Sequence, residues 1–317
     1  RMLATYGLLV LRKSRRPGIL ALCRALRMNQ PYLTEDDIGF MIAPRINAAS
    51  RMDQPELAYA LLATEDPTEA ETLVKTLDKL NTERKSVVAT MTREVNQKLR
   101  KRGELPEVIV AGNPDWQPSL VGLVANSVME EFGRPAFIWG RDEKGVLKGS
   151  CRGNGSLDVV ALMRVAEQSL LEYGGHERSG GFSVSHETIH TLEQVLNEAR
   201  QHVTTTAGDQ VQTHDAELPL TDVTWRTYRL VQQLAPFGVD NPKPIFKICD
   251  AQMGEPEVFG KAKNHVATPL LHPEKNISIR AYRFFATPEM ITKTHATSIS
   301  GNLEKAWRGR GVEVRLV

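Results

Sequence analysis

At 317 residues, with 41% hydrophobic and 25% charged side chains, the chain is long enough for two domains and apolar enough to give each a core, which excludes a disordered or fibrous protein. A formal net charge of only +2 excludes a global field that would hold nucleic acid, so any such binding must rest on local basic patches. Cys23, Cys151 and Cys249 are odd in number and far apart; they give neither a disulfide framework nor a metal-ligand spacing, which points to a reducing cytosol.

No apolar run reaches the about 18 residues that a membrane span needs. The apolar stretch from Tyr6 to Leu11 precedes its basic cluster, Arg12-Lys13-Ser14-Arg15-Arg16, the reverse of a secretion signal. A start at Arg1 rather than Met points to a fragment. Residues 1–40 predict two short helices broken at Arg16-Pro17-Gly18, with a third starting at Thr34-Glu35-Asp36-Asp37, Thr34 as its cap and acid in its first turn. Residues 42–53 read as an irregular, arginine-bearing stretch. From Pro67 to about Arg102 the pattern is helical: Leu73, Leu77, Leu80, Val87, Met91, Val95 and Leu99 recur at spacings of three, four or seven. Such a rod would be roughly 50 Å long, and its polar faces suit a bridge between domains. Gly103 ends it, after basic residues well placed at the negative end of the helix dipole.

Residues 107–203 alternate in type. Strands are expected at 107–112, 135–139 and 146–152, helices at 119–132, 157–173 and 188–202, and one more strand at 181–184, together a compact α/β domain with a mixed sheet. Residues 204–215 are polar and read as a linker. A helix follows at Trp225–Leu234, and the three prolines between Ala235 and Pro244 exclude a helix or central strand. From Ile245 onward, short strands with turns at Gly254, Gly260, His272-Pro273 and Arg308-Gly309-Arg310-Gly311 suggest a small β-barrel of the OB type.

The most informative segment is Tyr173-Gly174-Gly175-His176-Glu177-Arg178-Ser179-Gly180-Gly181-Phe182, with four glycines in eight residues. Glycine adds nothing to a core and is disfavoured inside helices and strands, so a loop rather than a packing element is expected. Two readings stand open on local grounds: a turn between a helix and a strand, or an anion seat where an imidazole stands beside exposed backbone N–H groups. Ser150 and Arg152, two apart on a strand end, should face one side and could hold one phosphate.

The order of these segments carries a resemblance. Pro44-Arg45-Ile46-Asn47-Ala48-Ala49-Ser50-Arg51-Met52-Asp53 resembles the PRxNAAGRxD segment of the RecJ family, single-strand-specific 5′→3′ DNA exonucleases within the DHH phosphoesterase superfamily. The long helix, Val121-Gly122-Leu123-Val124-Ala125, Phe132-Gly133-Arg134-Pro135-Ala136, Gly149-Ser150-Cys151-Arg152, the Gly-Gly-His segment and Pro236-Phe237-Gly238-Val239-Asp240-Asn241-Pro242 are similar to that family in the same order. Departures are Ser50 in place of a glycine, and Trp116-Gln117-Pro118-Ser119 where the family carries Trp-His-x-Gly, which leaves Gln117 without a role. No DHH triplet is present and the first histidine is His176.

The resemblance implies residues 1–64 as the end of the DHH domain, 65–103 as the connecting helix, 104–203 as the DHH-associated α/β domain, 204–243 as linker and helix, and 244–317 as an OB fold. It implies a cytoplasmic, monomeric enzyme of DNA repair and recombination, with single-stranded DNA as substrate and a single-strand-binding protein and a helicase as partners. Mn2+ or Mg2+ would serve the intact enzyme. Two-metal hydrolysis needs several carboxylates or imidazoles around ions about 4 Å apart; Asp36, Asp37 and Asp53 are the only early candidates, so no metal ligands are expected here and the chain alone is expected to be inactive. By resemblance, Ser150 and Arg152 hold the 5′-terminal phosphate, Arg45, Asn47 and Arg51 contribute to the same cleft, and His176 contacts a phosphate in a supporting catalytic role, with Gly174 and Gly175 letting backbone approach it. Lys261 and Lys263, with Asn264, His265, Arg280 and Arg283, would line a single-strand groove on the barrel. Trp116 is open between base stacking and a core position. Two other functions stay open: an oligonucleotide or cyclic-dinucleotide phosphodiesterase of the same superfamily, and a non-catalytic DNA-binding or scaffold protein.

Overall fold

The computed structural model describes residues 1–203, 214–260, 263–294, 298–306 and 311–317. They fall into two compact units, one made of Ser14–Pro31 with Asp36–Asp209, the other of Arg1–Lys13, Tyr32–Glu35 and Gln210–Val317. Helix α1 (Met2–Lys13) thus belongs with the C-terminal part of the chain.

The first unit begins with α2 (Pro17–Ala25). Arg16, held extended by the proline after it, breaks the chain from α1. Winding resumes at Glu35 and widens to a π-turn over Asp37–Ile42 before α3 (Ala43–Arg51). The segment around Arg45 and Asn47 is therefore helical, where an irregular stretch was expected. Pro44 has no N–H to donate, and the wider turn before it takes up its ring without breaking the helix. Asp53, at φ +58°, stops the winding. A further helix, α4 (Pro55–Ala63), was not anticipated.

Helix α5 (Pro67–Arg100) is a single rod, capped by Asp66, which accepts from the Thr68 N–H at 2.8 Å. Its first half buries Ala70, Val74, Leu77 and Leu80 against α2–α4, and its second half buries Met91, Val95 and Leu99. Val87 is 37% exposed and Val88 takes its place on the buried stripe, because a 3.6-residue period carries position 88, not 87, back to the packed face.

A five-stranded sheet follows: β1 (Ile109–Gly112), β2 (Ala136–Arg141), β3 (Leu147–Arg152), β4 (Glu172–His176) and β5 (Ser179–Val184), in the order β1-β2-β3-β5-β4. Only β1 and β2 run parallel, joined through α6 (Pro118–Phe132), so the sheet is mixed as expected. One face packs α6 and the end of α5 through Ala136, Ile138, Val121 and Val124. The other packs α7 (Val159–Val165) and α8 (Leu192–Arg200) through Phe137, Cys151, Met163, Phe182 and Leu196.

Two expectations change here. The helix expected over 157–173 ends at Val165, after which a short 3-10 turn leads into β4. The glycine-rich segment is a β-hairpin, with Glu177-Arg178 as its turn, rather than a loop. Glycine weakens a strand, but pairing along the whole of β5 supplies the ladder, and tertiary register overrides local propensity.

In the second unit, β6 (Ala216–Pro219), α9 (Trp225–Val231), β7 (Phe246–Cys249), β8 (Gln252–Met253), β9 (Glu257–Phe259), β10 (His265–Leu271), β11 (Ser278–Phe284), α10 (Pro288–Thr294), β12 (Ile299–Lys305) and β13 (Val312–Leu316) follow in sequence. The sheet order is β6-β7-β12-β13-β11-β10-β8, with β9 on β10 and a parallel β11–β13 pair. Val266, Leu270, Ala281, Leu303 and Val314 fill its core. This is an OB-like arrangement of short strands, with α10 as an unexpected insertion.

Candidate nucleic-acid interface

Register fixes the first site. Arg152 on β3 pairs with Ser179 on β5, which pairs with His176 on β4; one rank back, Ser150, Gly181 and Gly174 align in the same way. Residues directly opposite across strands share a face, so both ranks lie on the side that carries α6. On that side α6 covers the sheet only as far as β3. A Cβ at Gly122 of α6 would lie 3.2 Å from Ser150 Oγ and 3.2 Å from Arg152 Nη2, so both side chains meet the helix at one point, as their spacing predicts. Beyond them the floor is bare backbone: Gly174 has nothing within 4 Å of where a Cβ would stand, and Gly181 only the Gly149 carbonyl at 3.7 Å.

The other two glycines serve a different purpose. They lie on the opposite face, where a Cβ at Gly180 would come 2.8 Å from Met163 Cε and 3.2 Å from Cys151 Sγ. At Gly175, φ is +149° and a Cβ would reach 2.3 Å from the Ser179 carbonyl oxygen. These two make close packing possible, contrary to the reading of the whole segment as a non-packing loop.

The outcome is a shelf on the β5–β4 half of the sheet, with Ser150 and Arg152 along one side and exposed His176 on the other, roughly 10 Å away at two strand spacings. Arg152 Nη1 donates to the Cys151 carbonyl at 2.7 Å, which holds the guanidinium against its own strand. Strand β4 is the sheet edge, so alternate backbone N–H groups there point away from the ladder. Cys151 itself faces the core; burial, against the weaker opposing pull of Arg152, pushes its thiol up to about 12, which makes it inert at neutral pH.

The other residues named from sequence fall nearby in the same unit. Arg51 Nη1 donates to the Ser119 carbonyl at 2.6 Å, and Ser119 Oγ donates back to the Arg51 carbonyl at 2.8 Å. Arg51 is thereby fixed to the first turn of α6, one turn before Gly122. Asn47 is exposed one helical turn earlier on the same side of α3. Arg45 is engaged elsewhere: Nε and Nη2 hold Asp78 Oδ1 at 2.9 and 2.7 Å, and Nη1 holds the Met41 carbonyl at 2.7 Å. Its geometry is that of a clamp between α3 and α5. Trp116 is 7% exposed and packed in the α6 core, which settles it as a core residue.

The second unit presents its own surface. Along β11, Arg280, Tyr282 and Phe284 share the face opposite buried Ala281. The His265 ring meets Phe284 edge-on at 5.0 Å and Phe285 at 5.1 Å, and Phe259 at 5.3 Å. Arg280 lies over Phe259 at 5.1 Å and Arg315 over Phe284 at 5.6 Å. Phe284 is 40% and Phe285 67% exposed. Aromatic rings interleaved with guanidinium groups suit unpaired bases and their phosphates. Arg283 points the other way, with Nη1 buried and unbonded among the described residues. Lys263 is exposed at the turn after Gly260, its N–H donating to the Gly260 carbonyl at 3.1 Å; Lys261 lies outside the described residues. The sequence reading chose the charges and missed the aromatics, whose signal was the alternation Arg280, Tyr282, Phe284.

Comparison with known proteins agrees with both units. Residues 105–207 match the DHHA1 domain and residues 214–316 the RecJ OB domain. These define a DHHA1-type α/β domain joined to a RecJ-type OB domain. A relative from Bacillus subtilis (strain 168), named single-stranded-DNA-specific exonuclease RecJ, is 31% identical over 98% of this chain. Solved structures of RecJ from Thermus thermophilus, with Mn2+ and with Mg2+, align over 98% of the chain at TM-scores of 0.74 and 0.73 and identities of 27% and 28%. The chain belongs to the RecJ family. It spans 40% of the Bacillus relative and 45% and 47% of the Thermus chains. Among the described residues no group of three or more His, Cys, Asp or Glu side chains converges to hold an ion. No described helix is long and apolar enough to cross a membrane.

Proposed function

We propose that this chain is the substrate-binding portion of a single-stranded-DNA-specific 5′→3′ exonuclease. The observation that carries the reading is the meeting of Ser150 Oγ and Arg152 Nη2 at Gly122, beside a glycine-floored half sheet. A guanidinium and a hydroxyl on one side of a strand offer charge-assisted donors to the oxygens of one phosphate. Bare backbone next to them admits a nucleotide that any side chain would exclude. His176, across the shelf, donates to a neighbouring phosphate. The aromatic and basic face of the second unit suits single strands too, by stacking and phosphate contacts that are indifferent to sequence. Divalent-metal hydrolysis belongs to the part of the relatives that this chain does not span, and the chain alone binds without cutting.

Fluorescence anisotropy with labelled single strands tests this. The expected result is binding that weakens steeply with salt, favours a 5′-phosphate over a 5′-hydroxyl and exceeds binding to dinucleotides, with no digestion in Mn2+ or Mg2+. Digestion by the purified chain overturns the division of labour; preference for dinucleotides replaces the reading with that of a small-nucleotide phosphodiesterase.

A further inference from the structure

The end of β11 carries a backbone feature that packing does not call for. Phe285, the first residue past the strand, stands at φ +52°. Among the described residues six non-glycine positions have positive φ: Asp53, Asp240 and Asp250, whose short polar side chains tolerate it, then Arg27, Lys263 and Phe285. Phe285 is the one aromatic ring in that set. Its side chain is largely exposed, whereas the next residue, Ala286, is buried in the core of the second unit. Asparagine or glycine would make such a turn more easily. A costly backbone conformation persists where its surroundings over-determine it, and such places cluster at binding sites.

His265 over-determines it. The Phe285 N–H donates to His265 Nδ1 at 3.2 Å, and the Ala286 N–H donates to the Asn264 carbonyl at 3.2 Å. Nδ1 also lies 3.0 Å from that carbonyl. A ring nitrogen that accepts from Phe285 carries no proton, so the neutral imidazole protonated on Nε2 is the form that fits this contact. The imidazole meets Phe285 edge-on at 5.1 Å with the planes 88° apart, and Phe284 at 5.0 Å and 82°. One side chain thus fixes both the backbone and the ring. Gly260, at φ +90°, makes room for it: a Cβ there would lie 2.8 Å from His265 Cδ2.

We propose that His265 is a positioning residue: it holds the Phe285 backbone in the left-handed region, so that the ring stands clear of the strand end as a platform for one unpaired base. Phe285 touches the base, and His265 acts through Phe285. Stacking needs an aromatic face rather than a hydrogen-bonding pattern, so the platform accepts any base. The identification of the ligand as a nucleobase rests on the function proposed above; the hold of His265 on Phe285 does not.

The test compares the full chain with three variants. Phe285→Asn suits the left-handed backbone and removes the ring. His265→Phe keeps a ring without the acceptor, and His265→Asn restores an acceptor oxygen near the place of Nδ1. Melting temperature and anisotropy with a labelled single strand of thymidines are measured for each. Phe285→Asn should melt at or above the parent temperature yet bind about fivefold or more weakly. His265→Phe should lose as much affinity, and His265→Asn should recover most of it. Combining His265→Phe with Phe285→Asn should weaken binding no further than Phe285→Asn alone, because the two act as one unit. If Phe285→Asn binds like the parent, or melts well below it, Phe285 is no platform and the proposal falls. If folded His265→Phe keeps the parent affinity, or His265→Asn recovers none, His265 does not position Phe285. Should His265→Phe not fold, the Phe285→Asn and His265→Asn results decide. A parent chain that binds no single strand overturns the function proposed above and the platform with it, whereas a binding parent with unchanged Phe285→Asn overturns this proposal alone.

Discussion

Gly122 of α6 stands against Arg152 of β3 so closely that a Cβ on the glycine would lie 3.2 Å from the guanidinium Nη2, and no farther from Ser150 Oγ. Its neighbours in α6, Val121 and Val124, are fully buried, so the helix cannot slide outward to make room. Gly122→Ala should therefore displace the Ser150 and Arg152 side chains rather than the fold. Helix propensity favours alanine over glycine by about 0.8–1 kcal/mol, so the melting temperature should hold or rise while affinity for a 5′-phosphorylated single strand falls severalfold. Parallel melting curves and anisotropy titrations check the two halves of that statement.

Arg152→Lys keeps a positive charge but loses the planar fork. A hydrogen bond to a charged group contributes about 1.5–3 kcal/mol, so the preference for a 5′-phosphate over a 5′-hydroxyl end should drop roughly tenfold or more. Affinity for the 5′-hydroxyl strand should change little. The ratio of the two dissociation constants is the measurement.

The four hairpin glycines should divide into two classes. Gly174→Val enters open space and should leave stability nearly unchanged while closing the shelf to DNA. Gly180→Ala meets the Gly174 carbonyl at 2.8 Å and Met163 Cε at 2.8 Å, and overpacking of that kind costs about 1–3 kcal/mol. Urea denaturation of both variants, beside their DNA affinities, distinguishes a floor glycine from a packing glycine; equal stability losses would count against the division.

On the second unit, Phe284→Ala removes the ring around which His265, Tyr282 and Arg315 gather. Base stacking on one aromatic side chain is worth about 1–3 kcal/mol, so single-strand binding by this surface should weaken about fivefold to a hundredfold. Arg283→Gln, on the inner face of the same strand, should affect stability before it affects binding.

Stability should also fall in alkali. The Cys151 thiol rises to about 12 in the fold because it is buried, whereas an unfolded chain ionises it near 9.0, the ordinary value. Below pH 9 both states hold the proton and this group adds no pH dependence. Between pH 9 and 12 only the unfolded state releases it, so unfolding becomes easier by about 1.4 kcal/mol per pH unit. Cys151→Ala should flatten that part of the stability–pH curve in equilibrium denaturation.

Much of the chain was legible because its signals are local. The period of apolar residues from Leu73 to Leu99 gave α5, Pro17 and Gly103 punctuated helices, and the regular short strands after Ile245 gave the OB-like unit. Even the facing of Ser150 and Arg152 followed from a strand period of two. The failures also share a cause. Residues 42–53 read as irregular, but a π-turn before Pro44 absorbs the missing donor and lets α3 form, and Val87 looked like a stripe residue until continuous winding placed Val88 there instead.

The sequence by itself determined that a glycine-rich, histidine-bearing segment lies near a Ser-x-Arg strand end, and that the order of motifs is that of RecJ. It could not say which glycines face open space and which face core, because that depends on pairing between β3, β5 and β4, residues far apart in the chain until the ladder sets their register. Nor could it assign partners to Arg45 and Arg51: Asp78 claims the first and the Ser119 carbonyl the second, a choice made only when α3 packs against α5 and α6. Periodicity and punctuation act over a few residues and are written in the chain. Which charges are neutralised, and which backbone is left bare, are properties of surfaces that exist only after packing.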